Sequence, residues 1–326
     1  MIELLLILAA LALGLHLYRQ YWTCRDLPRV HDVPFAGELY RVDRTIIARR
    51  PARAGSSRSV VCFPGFLEDM RYFQALYQDD DCELVLVNNA NYHSPFAAGD
   101  AVALALPDNP FALGTIEYDG FLLGHVIGLL ASGSTLTLHG HSRGGAVVLE
   151  AGRQHPQLMR ERQATAILEA PVLPRARTVG RGSEPLPHAL ICYLLPLVLG
   201  LSRKTARERV LKQPMMWPNN ALKTELCACI YTVARNYRTC VDNVRGIRDW
   251  QRATDYQVYT HYPRLTVVMG QRDDVLDNAS MLASAEAGRR LNPGLSILRT
   301  EHSNHFVTLE RPEYLRELHA AGEGGT

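Results

Sequence analysis

Residues 134–145 read Ser-Thr-Leu-Thr-Leu-His-Gly-His-Ser-Arg-Gly-Gly, and the rest of the chain is organised around them. Ser134 to Leu138 is a short β-rich run. Gly140-His141-Ser142-Arg143-Gly144 is a glycine-flanked turn. Gly145 to Gln154 has helical character, and Pro156 stands just past its end. Strand, sharp turn and helix thus follow one another with a serine at the apex. Such a turn lifts the serine Oγ above the sheet. Glycines on either side let backbone and side chains pass without a Cβ clash, and the helix points its N-terminus where negative charge would develop. Ser142 is the candidate nucleophile.

Upstream, Glu38 to Val42 and Thr45 to Arg49 read as two strands joined by a short turn, after a linker from Pro28 to Pro34. Ser59 to Phe63 is a continuous apolar run followed at once by Pro64-Gly65-Phe66. Tyr72 to Tyr77 is a short helix candidate, and Glu83 to Val87 a second buried strand. Asn88 to Gly114 is a long loop rich in Asn, Pro and Gly, a kind of loop that is usually functional inside a compact domain. Thr115 to Leu130 has helical periodicity. Downstream, strands are expected at Thr165 to Leu168, Leu265 to Met269 and Ser296 to Arg299, with helices at Ser280 to Leu291 and Pro312 to His319. Continuous apolar strands alternating with helices predict an α/β fold, a mostly parallel sheet covered on both faces. Working residues then sit beyond the strands' C-terminal ends, which would place Phe66, Ser142, Asp273 and His305 together.

Between Pro171 and Tyr256 the alternation stops and the chain reads as helical, an inserted cap. Ala189 to Leu201 is an apolar run interrupted by Pro196 and shorter than a spanning helix. Met215, Met216 and Trp217 follow, then a helical stretch from Ala221 to Arg238. Core packing, an acyl pocket or lipid contact each account for the apolar run; methionine and leucine suit a flexible alkyl chain.

The composition, 47% hydrophobic and 21% charged over 326 residues, is that of a globular chain. A net charge of +2, without a basic stripe of interleaved aromatics, argues against a nucleic-acid partner. The seven cysteines are odd in number and scattered, so they form no disulfide framework. Cys227 and Cys229, two apart on an expected helix, point to different faces, and no metal set is expected. Leu4 to Leu15 is uninterrupted apolar sequence. Glu3 precedes it, and Arg19, Arg25 and Arg29 follow, with Tyr18, Tyr21 and Trp22 as interfacial aromatics. A short membrane anchor with the catalytic part on the cytoplasmic side is the expectation. A buried helix and a cleaved signal peptide are the rivals, although the latter lacks a basic leader.

A serine hydroxyl needs a histidine to take its proton and an acid to orient the imidazole. His305 follows the last strand, and Pro312 opens the terminal helix behind it; His302 on the same loop is the rival. Asp273 lies three residues after Gly270, which ends the strand Leu265 to Met269. Asp274, Asp277 and Glu169 remain alternatives. His139 and His141 lie too close in sequence to Ser142 to reach back over it, and His141 reads as a supporting residue.

These parts resemble the α/β-hydrolase superfamily. Gly140-His141-Ser142-Arg143-Gly144-Gly145 is similar to its nucleophile elbow, Gly270-Gln271-Arg272-Asp273 to its acid loop, and His305-Phe306-Val307-Thr308-Leu309-Glu310-Arg311-Pro312 to its histidine segment; the order Ser, Asp, His is the family's. Pro64-Gly65-Phe66 stands where the family has a His-Gly pair, and Asn304 precedes His305 in place of glycine. The resemblance runs from Val60 to Glu317 apart from the cap. It implies a Ser142–His305–Asp273 triad, and an oxyanion bound by the backbone N–H groups of Phe66 and Arg143, a term worth ~3 kcal/mol per donor. It implies no cofactor. The expected parts are residues 1–24 as anchor, 25–171 and 256–326 as hydrolase core, and 172–255 as cap. The expected substrates are lipid-like carboxylic esters: monoacylglycerols, lysophospholipids or medium-chain esters. Acyl transfer by the same triad and a non-catalytic binding protein are the alternatives.

Overall fold

The apolar runs alternate, and the alternation decides which side chain faces which layer. Val61, Phe63, Val85 and Val87 pack into one buried cluster, whereas Val60, Cys62, Leu84 and Leu86 pack into another on the opposite face. A strand apolar on both faces needs cover on both, and the chain supplies it. Helices Ile116–Leu130, Arg143–Gln154 and Asn278–Leu291 cover the first face. Helices Arg71–Tyr77, Val307–Glu310 and Pro312–Glu323 cover the second.

The computed structural model describes every residue except Ala98, Asp100, Arg181 and 324–326. Among the described residues one sheet is formed by β1 (Glu38–Val42), β2 (Thr45–Arg50), β3 (Arg58–Phe63), β4 (Glu83–Val87), β5 (Val102–Ala103), β6 (Thr135–His141), β7 (Thr165–Glu169), β8 (Arg264–Met269) and β9 (Leu295–Arg299). Their order is β5-β1-β2-β4-β3-β6-β7-β8-β9. Only β1–β2 and β2–β4 pair antiparallel. The expected mostly parallel α/β sheet is present. The central strands β3, β4, β6 and β7 are mostly buried and the outer β1 and β9 carry more exposed residues.

Several elements differ from the sequence reading. The Asn88–Gly114 loop contains β5, two exposed residues that pair with β1 and form the edge of the sheet. The serine helix begins at Arg143, directly after Ser142, and not at Gly145. The expected helix Ala221 to Arg238 is two helices, Ala221–Ala228 and Tyr237–Ala253. Asn236 starts the second by accepting the Thr239 N–H at 3.1 Å, a cap that the apolar periodicity concealed. The segment between them is held by Tyr92↔Ala234 bridging.

Helix Pro185–Ser202 continues through Pro196, so the apolar run is longer than expected. With the turn that follows, it reaches 21 residues over Pro185–Thr205, long and apolar enough to cross a membrane, yet partly buried. The N-terminal helix Ile2–Cys24 also has the length and apolarity to cross one, and its apolar window is wholly exposed. Its last turns pack on Pro185–Ser202. Arg19 Nε donates to the Tyr193 carbonyl at 2.9 Å, and Trp22 lies where a Cβ on Gly200 would stand.

Candidate active site

Strand β6 delivers Ser142 at φ 50° and ψ −115°, a backbone conformation that costs a non-glycine residue ~1–3 kcal/mol. The surroundings hold it there. The Ser142 N–H donates to the Glu169 carbonyl at 2.9 Å, and its carbonyl accepts the N–H groups of Gly145 at 3.0 Å and Val172 at 2.9 Å. At Gly144 a Cβ would collide with the Phe63 carbonyl oxygen, and at Gly140 with the Gly144 carbonyl. Only glycine lets the new helix pass this close to β3.

Asp273 and His305 meet from the loops after β8 and β9. His305 Nδ1 lies 2.9 Å from Asp273 Oδ2. Asp273 Oδ1 accepts the N–H groups of Val275 and Leu276, both at 2.8 Å. Burial pulls the Asp273 carboxyl upward, but His305 and these two N–H groups outweigh it and hold the pKa below the usual value. The rivals are placed elsewhere. His302 is exposed, and its N–H donates to Gln271 Oε1. Asp274 pairs with Arg272 and Asn304. Asp277 caps helix Asn278–Leu291.

Phe66 follows β3 on a turn fastened from below. Glu68 Oε2 accepts the Gly65 N–H at 2.8 Å, and the same oxygen lies 2.7 Å from His141 Nδ1. The other ring nitrogen of His141 is 2.9 Å from the His305 carbonyl. Both nitrogens therefore face acceptors, which only an imidazolium satisfies with two N–H donors. Burial opposes that charge, but Glu68 overcomes it and raises the His141 pKa to about 9. A pKa raised in the folded state contributes stability fully present below about pH 6.5 and lost as pH rises through about 9. Urea unfolding at pH 6.5 and at pH 9.5 should therefore differ by about 3 kcal/mol. The difference should shrink in His141→Gln. An equal loss in both proteins would show that other groups carry it.

Glu169, the weakest of the acid alternatives, is wholly buried at the end of β7. It accepts Tyr72 O–H at 2.5 Å, Thr308 N–H at 2.6 Å, Thr308 O–H at 2.7 Å and His139 Nε2–H at 3.2 Å. Burial alone would raise its pKa, but these partners and the His141 charge hold it at about 2. Burial lowers the His139 pKa, and its Nδ1 lies 2.8 Å from the Tyr77 hydroxyl.

Other supporting side chains escaped the sequence reading. The buried Arg143 guanidinium pairs with Asp119 at 2.7 Å and donates to Asn89 Oδ1 at 2.7 Å, while Asn89 Nδ2 donates to the Gly65 carbonyl at 2.9 Å. One arginine thus links the serine turn, the Phe66 turn and the long loop. Asn304, in place of glycine, accepts the N–H of Asp274 at 3.0 Å and donates to the Trp217 carbonyl at 2.9 Å, tying the acid loop to the helical insertion. Lys223 and Glu310 form a fully buried pair at 2.5 Å, which fastens helix Ala221–Ala228 to the segment behind His305. Asn89 and Asn304 stand beside turns already singled out, but nothing local in the sequence marks their partners.

Ser142 opens into a cavity of about 530 Å³ between the loop after β7 and helices Pro185–Ser202 and Tyr237–Ala253. A larger cleft of about 1050 Å³, lined by Arg44, Arg153 and Arg245 among others, does not contain Ser142. Among the described residues no three His, Cys, Asp or Glu are grouped to hold a metal. The cysteines are free, and Cys229 follows the helix end rather than sitting within it.

A mostly parallel sheet with a strained serine at a strand–helix turn defines an α/β protein of the serine-elbow class. The chain belongs to the alpha/beta hydrolase family, whose model matches residues 60–318. Solved structures of the same fold include a thermophilic esterase from Thermogutta terrifontis (16% identity over 85% of this chain and 92% of that one, TM-score 0.60). MenH from S. aureus (13%, 84% and 96%, 0.60) and the enol-lactonase from Burkholderia xenovorans LB400 (15%, 87% and 98%, 0.59) are also similar. No curated protein sequence matches.

Proposed function

We propose that the protein is a serine hydrolase that cleaves carboxylic esters through Ser142, His305 and Asp273. The observation that carries this is the Ser142 backbone at φ 50° on the wall of a cavity also lined by Val275 and Leu276, whose N–H groups hold Asp273, the hydrogen-bonded partner of His305. In the reaction, Ser142 Oγ attacks the acyl carbonyl carbon as His305 takes its proton. The N–H groups of Phe66 and Arg143 hold the oxyanion. Collapse breaks the ester bond, and the leaving alkoxide takes the proton from His305. Water then attacks the acyl-enzyme, giving its proton to His305, which returns it to Ser142. Asp273 holds the imidazolium throughout. The esterase and the enol-lactonase among the similar structures support this class of chemistry. Labelling with a fluorophosphonate probe, lost in Ser142→Ala, is the direct test; a wild-type protein that stays unlabelled and hydrolyses no ester overturns the reading.

The substrates are lipid-like acyl esters. Residues 172–255 act as a cap whose Ile191, Val244 and Ile247 give the cavity an apolar wall. The N-terminal helix anchors the enzyme to a membrane, with Arg19, Arg25 and Arg29 placing the catalytic part on the cytoplasmic side. Arg19 and Trp22 pack on the cap, so the informative deletion stops before them. Removing residues 1–15 should move the protein from the membrane pellet to the soluble fraction. Hydrolysis of short soluble esters should persist while activity on bilayer lipids falls. A full-length protein already soluble at high salt overturns the anchor.

A further inference from the structure

The cavity at Ser142 is lined by Arg175, Arg177, Arg248 and Arg252 and by no aspartate or glutamate among the described residues. The chain as a whole has 35 basic and 33 acidic residues, so this one-sided lining does not follow from composition. Two of the arginines lie on the loop after β7 and two on helix Tyr237–Ala253. The Arg175 N–H donates to the Gln251 carbonyl at 2.9 Å, which holds loop to helix. Arg252 is partly engaged, donating to the Ser183 carbonyl at 3.2 Å. Arg177 is close enough to Asp277 to help hold that carboxyl below its usual range. Arg175 and Arg248 carry the argument. Neither is in an ion pair among the described residues, and Arg248 Nε is buried with no partner.

We propose that the site takes an ester amphiphile bearing an anionic group, with its chain on the apolar wall and its phosphate or carboxylate at Arg175 and Arg248. This rests on the reading of Ser142 as nucleophile. A guanidinium fork matches both anions with paired N–H donors, and is less tightly hydrated than an ammonium. A cleft carrying one sign of charge between apolar walls also concentrates the opposite ion. A neutral monoacylglycerol offers these arginines no matching charge.

Two matched pairs test this: oleoyl-lysophosphatidate against monooleoylglycerol in the same neutral micelles, and mono-4-nitrophenyl adipate against 4-nitrophenyl hexanoate in free solution. In at least one pair the anionic ester should have about tenfold or more higher kcat/KM, mostly through KM, and that pair identifies a lipid phosphate or a free carboxylate as the source. Raising salt to about 0.5 M should narrow the gap. The Arg175→Gln/Arg248→Gln protein should bring the ratio towards one. Ratios near one in the wild type, or unchanged in the double variant, overturn the proposal. The Ser142→Ala protein should still bind oleoyl-lysophosphatidate more tightly than monooleoylglycerol, read by calorimetry. If that preference holds, and is lost on adding the arginine substitutions, while no ester is ever cleaved, the nucleophile reading has failed and the anion site stands.

Discussion

Ser142→Ala should lower kcat/KM for p-nitrophenyl esters by about 10⁴-fold or more. No other described side chain is placed on the strained turn between β6 and its helix, and without Oγ there is no covalent route. Little stability should be lost. Alanine keeps the Cβ, so it meets the same strain at φ 50°, and the hydrogen bonds that hold the turn are all made by the backbone. Residual turnover near the uncatalysed rate with an unchanged melting temperature is the expected pair of results. Activity within tenfold of wild type would remove Ser142 from the mechanism and with it the hydrolase reading.

Asp273→Asn should cost on the order of 10⁴-fold in kcat, as loss of the orienting carboxylate does in the best-studied serine triad. The Asn oxygen would be retained by the Val275 and Leu276 N–H groups that now hold Oδ1. That presents the amide NH₂ to His305 Nδ1 and turns the imidazole into the wrong tautomer. His305→Ala should lose a comparable amount. Asp274→Asn, whose carboxylate serves Arg272 and Asn304, should stay within a few-fold of wild type. So should His302→Ala, on its exposed loop. If Asp274→Asn were the more damaging of the two, the acid would move by one residue. If His302→Ala abolished activity and His305→Ala did not, the base would move by three.

What could be read in advance divides by range. Strands such as Ser59 to Phe63 and Glu83 to Val87 announce themselves because burial on both faces demands an unbroken apolar run. The serine turn shows because its glycines must be adjacent to it. Asp273 and His305 were legible as candidates because each stands at a strand end, where the sheet places loops. The supports were not legible. Glu68 and His141 are far apart in the chain, as are Asp119 and Arg143, and Lys223 and Glu310. A carboxylate or lysine destined for burial has no periodic signature and reads as a solvated charge. The division of Ala221 to Arg238 is different. Asn236 was a visible cap signal, overridden by reading apolar spacing straight through it.

The buried Lys223–Glu310 pair has a further consequence, for motion. Its carboxylate also accepts the Asn304 N–H, and the ammonium donates to the carbonyls of Met215 and Pro218. Swinging helix Ala221–Ala228 outward would carry Lys223 away and leave the buried Glu310 carboxylate without its counter-charge, a loss of several kcal/mol. That helix is in effect locked against the segment behind His305. The cavity at Ser142 is instead walled by Arg175 and by His188 and Ile191 of helix Pro185–Ser202, the same helix on which the N-terminal segment rests. On the proposed reading, the anchor and the substrate cavity share one helix, while the locked helix lies apart from both.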